Sequence, residues 1–176
     1  MIVAFGDSLT YGAGASPQHD YPAVLAELSG HTVINAGISG EISAEGLQRL
    51  PELLDEIQPQ LLLLIHGGND ILRKLPAEQT REHLRAMIRA AKERHIDVVM
   101  LGVPTPGLVL LRSADFYAEL ADAEQVPIDV EALPDILANK TLKSDAIHPN
   151  DGGYRQMAER ILALLYGSGA LQKPDR

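Results

Sequence analysis

The chain has 176 residues, of which 45% are hydrophobic, so it can bury the core of one domain. Its formal net charge of −9 argues against nucleic acid as a partner, because phosphate contacts require clustered lysine and arginine. The same charge argues against an anionic membrane surface. The absence of cysteine excludes a disulfide framework, a thiol nucleophile and thiolate metal ligands.

The sequence also bears on localisation. No segment approaches the roughly 18 consecutive apolar residues that a membrane span needs. A secretory signal peptide begins with basic residues and continues with an apolar stretch, whereas the first basic residue here is Arg49. We therefore expect a cytoplasmic protein without membrane insertion, or a periplasmic or secreted one if a signal peptide has been removed.

Short apolar runs alternate with segments of helical periodicity along the chain. We predict strands at residues 2–5, 32–35, 61–65, 98–103 and 126–130. The third run, LLLLI, is apolar at every position, which is typical of a strand buried on both faces. Alternating strands and helices predict βαβ units and a parallel sheet covered on both faces, in a single domain over residues 1–166 with a short tail at 167–176.

Ser8 follows the first predicted strand by three residues. At a strand-to-helix turn its hydroxyl could act as a nucleophile beside amide groups that bind an oxyanion. The same serine could instead cap a helix. The glycines of this loop could also admit a phosphate, but their spacing matches no nucleotide-binding motif and the loop has no lysine.

Two glycine-containing segments, NAGISGE and HGGND, follow the second and third predicted strands. Gly37 and Gly40 would let the backbone approach a ligand closely, and Asn69 offers an amide donor. Each segment could equally be an ordinary turn or a helix cap. We interpret His66, at the end of the strand, as a packing residue and not as a base.

The segment SDAIHPNDGGY precedes the last predicted helix. Asp145 and His148 lie three residues apart, so the carboxylate can reach Nδ1–H and leave the other ring nitrogen as a proton acceptor. An incidental surface ion pair is the simpler interpretation. Asp145, His148 and Asp151 could also ligate a metal, but no second histidine lies nearby. We predict no metal and no cofactor.

A doubly wound sheet would bring these segments together, because ligands bind at the carboxyl ends of its strands. Together they supply a hydroxyl nucleophile, oxyanion donors, a base and a carboxylate that orients the base. These are the groups that acyl transfer through a tetrahedral intermediate requires.

The segments GDSLTYG, GISG, GGND and DAIHP, in this order, resemble the four sequence blocks of the SGNH (GDSL) hydrolases. Within that family the chain is most similar to the bacterial arylesterase and thioesterase I–lysophospholipase L1 group. The resemblance implies a flavodoxin-like three-layer α/β/α fold with a five-stranded parallel sheet. It also implies Ser8 as nucleophile, His148 as base and Asp145 as the residue that holds the imidazole. The implied oxyanion hole comprises the N–H groups of Ser8 and Gly40 and the amide of Asn69.

The activity implied by the resemblance is hydrolysis of a carboxylic ester through an acyl-enzyme on Ser8. The expected partner is a small acyl ester, either aryl or of short to medium chain length, with lysophospholipids and acyl thioesters as further candidates. We predict that the apolar, proline-rich segment 103–117 forms part of the acyl-pocket wall, with Leu108, Leu110 and Leu111 as candidates, although these leucines could equally seat the next helix. A carbohydrate O-acetylesterase and a non-catalytic flavodoxin-like module that binds phosphate or flavin remain as alternatives.

Overall fold

The computed structural model describes residues 1–105 and 111–173. Its strands are β1 Ile2–Gly6, β2 Val33–Gly37, β3 Leu61–Ile65, β4 Asp97–Leu101, β5 Pro104–Thr105, β6 Arg112–Ser113 and β7 Ile128–Asp129. Five of them form one parallel sheet in the order β2-β1-β3-β4-β7, while β5 and β6 form a separate antiparallel pair. This is the flavodoxin-like strand order. The predicted α/β fold with a five-stranded parallel sheet is therefore confirmed.

Two strands are shorter than their apolar runs. β4 ends at Leu101, although the run continues to Val103, which is buried without belonging to the strand. β7 contains only two residues, which pair with the end of β4, whereas we expected a strand over residues 126–130. An apolar run indicates that its residues are buried. A residue can be buried by packing without pairing with a neighbouring strand of the sheet. The β5–β6 pair was not predicted, because two-residue strands carry no periodicity.

The helices of the described residues are α1 Ser8–Tyr11, α2 Tyr21–Ser29, α3 Ser43–Ile57, α4 Gly68–Leu72, α5 Ala77–Lys92, α6 Asp115–Glu124, α7 Ala132–Ala138 and α8 Asp151–Gly167. They form two groups, since α3 and α6 pack against α5, and α2 and α7 pack against α8. Right-handed crossovers place these groups on opposite faces of the sheet. The apolar stripe of α5 faces the core, with Leu84, Met87 and Ile88 fully buried. Each such side chain contributes about 1.5–3 kcal/mol through burial.

The register of the central strands determines where a site can form. Gly6 at the end of β1 pairs with Gly37 at the end of β2 and with Ile65 at the end of β3. The loops that follow these three strands therefore open at one edge of the sheet. The chain order also reverses between β1 and β3, which is where ligands bind in open parallel sheets.

The segment after α8 packs on the domain, and the lengths of the helices bear on membrane insertion. α8 ends at Gly167, close to the predicted domain limit, and Ala170 and Leu171 beyond it pack against the core. None of the helices that the structure describes has both the length and the apolar character needed to cross a membrane.

Candidate active site

Ser8 stands at a tight transition from strand to helix, since β1 ends at Gly6 and α1 begins at Ser8. A side chain at position 6 would collide with the backbone carbonyl of Ile65, so the turn requires glycine. The helix cap is Asp7, whose Oδ1 accepts from the N–H of Leu9 at 3.1 Å. The cap interpretation of Ser8 is therefore wrong, and its hydroxyl is available for other contacts.

Asp7 also connects two loops of the site. Its other oxygen, Oδ2, accepts from the N–H of Gly68 at 3.1 Å and so connects the turn after β1 to the start of α4. Burial raises the pKa of the Asp7 carboxyl, and His66 and the N–H groups of Leu9 and Gly68 offset this only in part. Asp7 thus ties the loop of Ser8 to the loop that carries Asn69.

His148 lies within bonding reach of Ser8, although 140 positions separate them in the chain. The distance from His148 Nε2 to Ser8 Oγ is 2.9 Å. On the other side of the ring, Nδ1 lies 2.8 Å from Asp145 Oδ2. With the Nδ1 proton donated to the carboxylate, Nε2 is left to accept the proton of the serine hydroxyl. The structure thus brings together the three residues of the DAIHP and GDSL segments.

The turn that carries His148 is held by the same carboxylate. Asp145 Oδ1 accepts from the N–H groups of Ile147 and His148, both at 2.8 Å. Burial raises the pKa of the Asp145 carboxyl, but the hydrogen bonds from the His148 ring and from these two N–H groups outweigh it. The pKa therefore lies below its ordinary value. Asp145 is ionised at neutral pH and orients both the backbone and the ring of His148.

The metal alternative for this segment finds no support in the geometry. Asp151 accepts hydrogen bonds from the N–H and hydroxyl of Ser16, both at 2.7 Å, and so anchors the loop after α1 to α8. Among residues 1–105 and 111–173, no cluster of three or more His, Asp or Glu side chains is arranged to hold a metal ion.

Besides the Ser8 N–H, the predicted oxyanion donors are Gly40, in the loop after β2, and Asn69, in α4 after β3. Gly40 has a φ of +83°, a conformation that favours glycine, and a Cβ added there would meet no atom within 4 Å. The Asn69 amide donates one hydrogen to the carbonyl of Glu41 at 2.9 Å, and its second hydrogen has no acceptor among residues 1–105 and 111–173. Within the described residues, the N–H groups of Ser8 and Gly40 have no acceptor. Gly40 itself is not among the residues that line the cleft described next.

An apolar cleft of about 70 Å³ opens beside Ser8. Besides Ser8, Asn69 and His148 it is lined by Leu9, Leu72, Val103, Pro104, Leu111, Leu137 and Ile147. The prediction for Leu111 agrees with this wall, whereas Leu108 and Leu110 lie outside the described residues. Val103 and Pro104 lie within the predicted wall segment 103–117, whereas the other apolar lining residues were missed. A usable signal existed for Ile147, which adjoins His148, and for Leu72, which follows Asn69 by three residues.

A second group of serine, histidine and aspartate lies away from this cleft. Ser43 Oγ donates to Asp70 Oδ1 at 2.5 Å and lies 2.9 Å from Nδ1 of His83. Here the carboxylate contacts the serine and not the histidine, so it does not orient a base. Ser43 is fully buried, and its N–H also donates to Asp70. This arrangement joins the start of α3 to α4 and α5, and it lacks access for a substrate.

Comparisons with known proteins agree with this geometry. Residues 4–156 match the model of the GDSL-like Lipase/Acylhydrolase family. The chain is 33% identical to thioesterase 1/protease 1/lysophospholipase L1 of Escherichia coli over 156 residues. The aligned region covers 85% of this chain and 75% of that protein. It is 32% identical over 170 residues to an arylesterase of Vibrio mimicus, covering 91% of this chain and 85% of the relative.

Among solved structures, a crystal structure of TesA superposes with a TM-score of 0.84 at 27% identity, covering 94% of this chain and 98% of TesA. The family match and the named relatives are hydrolytic, so they argue against the alternative of a non-catalytic phosphate or flavin module. By its sequence, its fold and the residues that meet at the sheet edge, the chain belongs to the GDSL-like lipase/acylhydrolase family and is an ester-bond hydrolase.

Proposed function

We propose that the protein hydrolyses small carboxylic esters through an acyl-enzyme on Ser8, with His148 as the base and Asp145 as its orienting partner. The observation that carries the proposal is the continuous hydrogen-bonded chain from Ser8 Oγ through the imidazole to the Asp145 carboxylate, at 2.9 and 2.8 Å. This chain ends at an apolar cleft, where an acyl group can lie beside the hydroxyl.

The proposed reaction has two halves. Ser8 Oγ attacks the ester carbon while its proton passes to Nε2 of His148, and the carbonyl oxygen becomes an oxyanion. When the tetrahedral intermediate collapses, His148 returns this proton to the leaving alcohol or phenol. A water molecule then attacks the acyl-enzyme, again losing its proton to His148, and the carboxylic acid leaves as Ser8 recovers its hydrogen.

Three donors support the oxyanion in this proposal: the N–H groups of Ser8 and Gly40 and the second amide hydrogen of Asn69. Such donors stabilise charge that develops only in the transition state. The ionised Asp145 carboxylate stabilises the imidazolium that forms at the same time.

Replacing Asn69 with alanine is expected to lower kcat by about 10²–10³-fold and to leave KM nearly unchanged, because one oxyanion donor is lost and the cleft remains. Steady-state kinetics with p-nitrophenyl butyrate measure both constants. Gln48→Ala is the matched control, since it removes an amide side chain that is exposed on α3. A rise in KM at constant kcat would assign Asn69 to substrate binding instead.

The lining of the cleft beside Ser8 is mostly apolar, which supports an acyl group as the part of the substrate that lies there. The relatives named as arylesterase and thioesterase make aryl esters and acyl thioesters the first candidates.

Leu111→Trp is expected to shift the preference among p-nitrophenyl esters from butyryl and octanoyl towards acetyl, because a larger side chain fills the cleft. The measurement is kcat/KM for the three esters, and the change in octanoyl-to-acetyl ratio is expected to be about tenfold or more. Ala163→Trp, on the exposed side of α8, is the control. An unchanged ratio in Leu111→Trp would remove Leu111 from the acyl wall.

The proposal as a whole is tested with a fluorophosphonate, which reacts with an activated serine. Mass spectrometry of the digested protein is expected to locate one adduct on Ser8. An adduct on Ser43, or no adduct in a protein that still hydrolyses esters, would contradict the proposed nucleophile. Activity on acetyl, butyryl and octanoyl esters and on an acyl-CoA then identifies the substrate class.

A further inference from the structure

Glu41, the residue after Gly40, is buried and uses both carboxylate oxygens. Oε1 accepts from Arg49 Nε at 2.6 Å, while Oε2 accepts from Arg49 Nη2 at 2.8 Å and lies 3.0 Å from His66 Nε2. Burial raises the pKa of the Glu41 carboxyl, but the hydrogen bonds from His66 and Arg49 and the Arg49 charge outweigh it, so the pKa lies below its ordinary value. The residue that follows Gly40, a predicted oxyanion donor, is thus a buried carboxylate that is kept ionised.

The hydrogen bond between Glu41 and His66 has a defined direction. His66 Nδ1 accepts from the N–H of Gly67 at 2.8 Å, so the ring proton is on Nε2 and is donated to Glu41. The ring reaches Glu41 because residue 46 is a glycine, since a Cβ there would lie 2.5 Å from Nε2. A glycine inside α3 is explained by this approach.

Glu41 connects two segments that carry oxyanion donors, the loop with Gly40 and helix α4 with Asn69. Its side chain is bonded to His66, three residues before Asn69, and its own carbonyl accepts from the Asn69 amide at 2.9 Å. On the other side, a Cβ added at Gly40 would meet no atom within 4 Å, so no side chain packs against that face of the glycine, and the Glu41 N–H holds the turn by donating to the Ile38 carbonyl at 3.2 Å. Arg73 adds one exposed contact, from Nη2 to the Gly40 carbonyl at 2.9 Å.

We propose that Glu41 is a positioning residue that sets the Gly40 N–H and the Asn69 amide in place as a pair, through its buried contacts with His66 and Arg49. The inference rests on the proposed function, because it assumes that these two groups bind the oxyanion. The reason is geometric: the carboxylate and the carbonyl of this one residue both connect the segment after β2 to the segment after β3.

Glu41→Gln is the sharpest test, because it keeps the shape and changes one oxygen to an NH₂ group. With the amide oxygen at the Oε1 position, the NH₂ faces the Nε2–H of His66 and Nη2 of Arg49; with the amide turned over, the NH₂ faces Nε–H of Arg49. His66 cannot move its proton to Nδ1 without facing the N–H of Gly67. Two donors therefore oppose each other, and the link between the loops must shift.

We expect Glu41→Gln to lower kcat by about 10- to 100-fold with KM within about threefold of the wild type, since small displacements of catalytic groups cost this much. A second readout is a trifluoromethyl ketone, whose carbonyl carbon is attacked by Ser8 Oγ as His148 takes the proton, leaving an oxyanion in the hole. Its inhibition constant is expected to rise by the same factor as kcat falls. The corresponding methyl ketone, which stays uncharged, is expected to bind equally well to both proteins.

The control is Asp55→Asn, which breaks the surface ion pair with Arg94 at 2.7 Å outside the site and is expected to leave all constants unchanged. Glu41→Asp retains the charge beside Arg49 and shortens the reach to His66 by one methylene group. It is the second variant, for which an intermediate loss of kcat is expected, with circular dichroism to verify the fold. A lower melting temperature with kcat and the trifluoromethyl ketone constant unchanged in both Glu41 variants would reduce Glu41 to a structural role and overturn the inference.

Asn69→Ala separates this failure from failure of the proposed function. If Asn69→Ala lowers kcat and Glu41→Gln does not, the oxyanion hole stands and the positioning role is wrong. If neither variant lowers kcat, the oxyanion hole itself is wrong. When both act, the double variant is expected to lose less than the product of the single losses, because both changes affect one group.

Discussion

Replacing Ser8 with alanine is expected to lower kcat for p-nitrophenyl butyrate by about 10⁴-fold or more, because among the described residues no other hydroxyl is hydrogen-bonded to the His148 ring. His148 Nε2 lies 2.9 Å from Ser8 Oγ, and alanine leaves no atom there to attack the ester. Folding should be unaffected, since the cap of α1 is Asp7 and not Ser8. The measurement is the rate at saturating ester, with circular dichroism to verify the fold.

Ser43→Ala is the matched comparison for this variant. It removes the hydroxyl between Asp70 and His83, so the protein should become less stable, while kcat per folded molecule should stay near the wild-type value. The pair of variants separates the two groups of serine, histidine and aspartate. Loss of activity in Ser43→Ala together with its retention in Ser8→Ala would transfer the nucleophile to the buried group.

Asp145→Asn is expected to lower kcat by about 10³–10⁴-fold. An asparagine that turns its NH₂ group towards Nδ1 of His148 forces the ring proton onto Nε2, where it can no longer accept from Ser8. The variant keeps the size of the side chain, so the loss reports the state of the imidazole. Single-turnover kinetics with p-nitrophenyl butyrate measure the acylation step directly. Asp135→Asn, whose side chain lies 3.5 Å from Arg160 on the surface, is expected to behave as the wild type.

The difference in stability between Asp145→Asn and the wild type is expected to depend on pH. Because the pKa of Asp145 is lowered in the folded protein, its carboxylate contributes stability above the unfolded value of about 3.9 and loses it as the pH falls through the folded pKa. Urea unfolding should therefore show the wild type more stable than Asp145→Asn at pH 7, with the difference shrinking below about pH 4. A difference that does not change with pH would mean that the carboxylate charge contributes nothing to folding.

Local patterns predicted much of the fold. A run such as LLLLI is recognisable because both faces of β3 are buried, and the stripe of α5 is recognisable because one face is. These signals depend on residues that are close in sequence. They fail at the ends of β4 and β7, because burial of Val103 by packing resembles burial in a strand.

For the candidate site too, the sequence predicted some residues and left others unseen. Ser8, Asn69 and His148 could be selected from the sequence because each follows a strand or precedes the last helix, and parallel strands bring such positions to one edge. The choice of Gly40 over Gly37 came from the family resemblance and not from spacing. Roles that depend on partners distant in sequence, such as the cap formed by Asp7 and the link formed by Glu41, were not visible.

By itself, the sequence determined which residues enter the sheet, which turns follow the strands and which chemical groups those turns carry. Only the tertiary structure decided that the serine hydroxyl contacts an imidazole 140 positions away and that a second serine, Ser43, bonds to its aspartate instead. The physical reason is that strand and turn preferences act over a few residues. The distance between two side chains from different loops depends on how every layer between them packs.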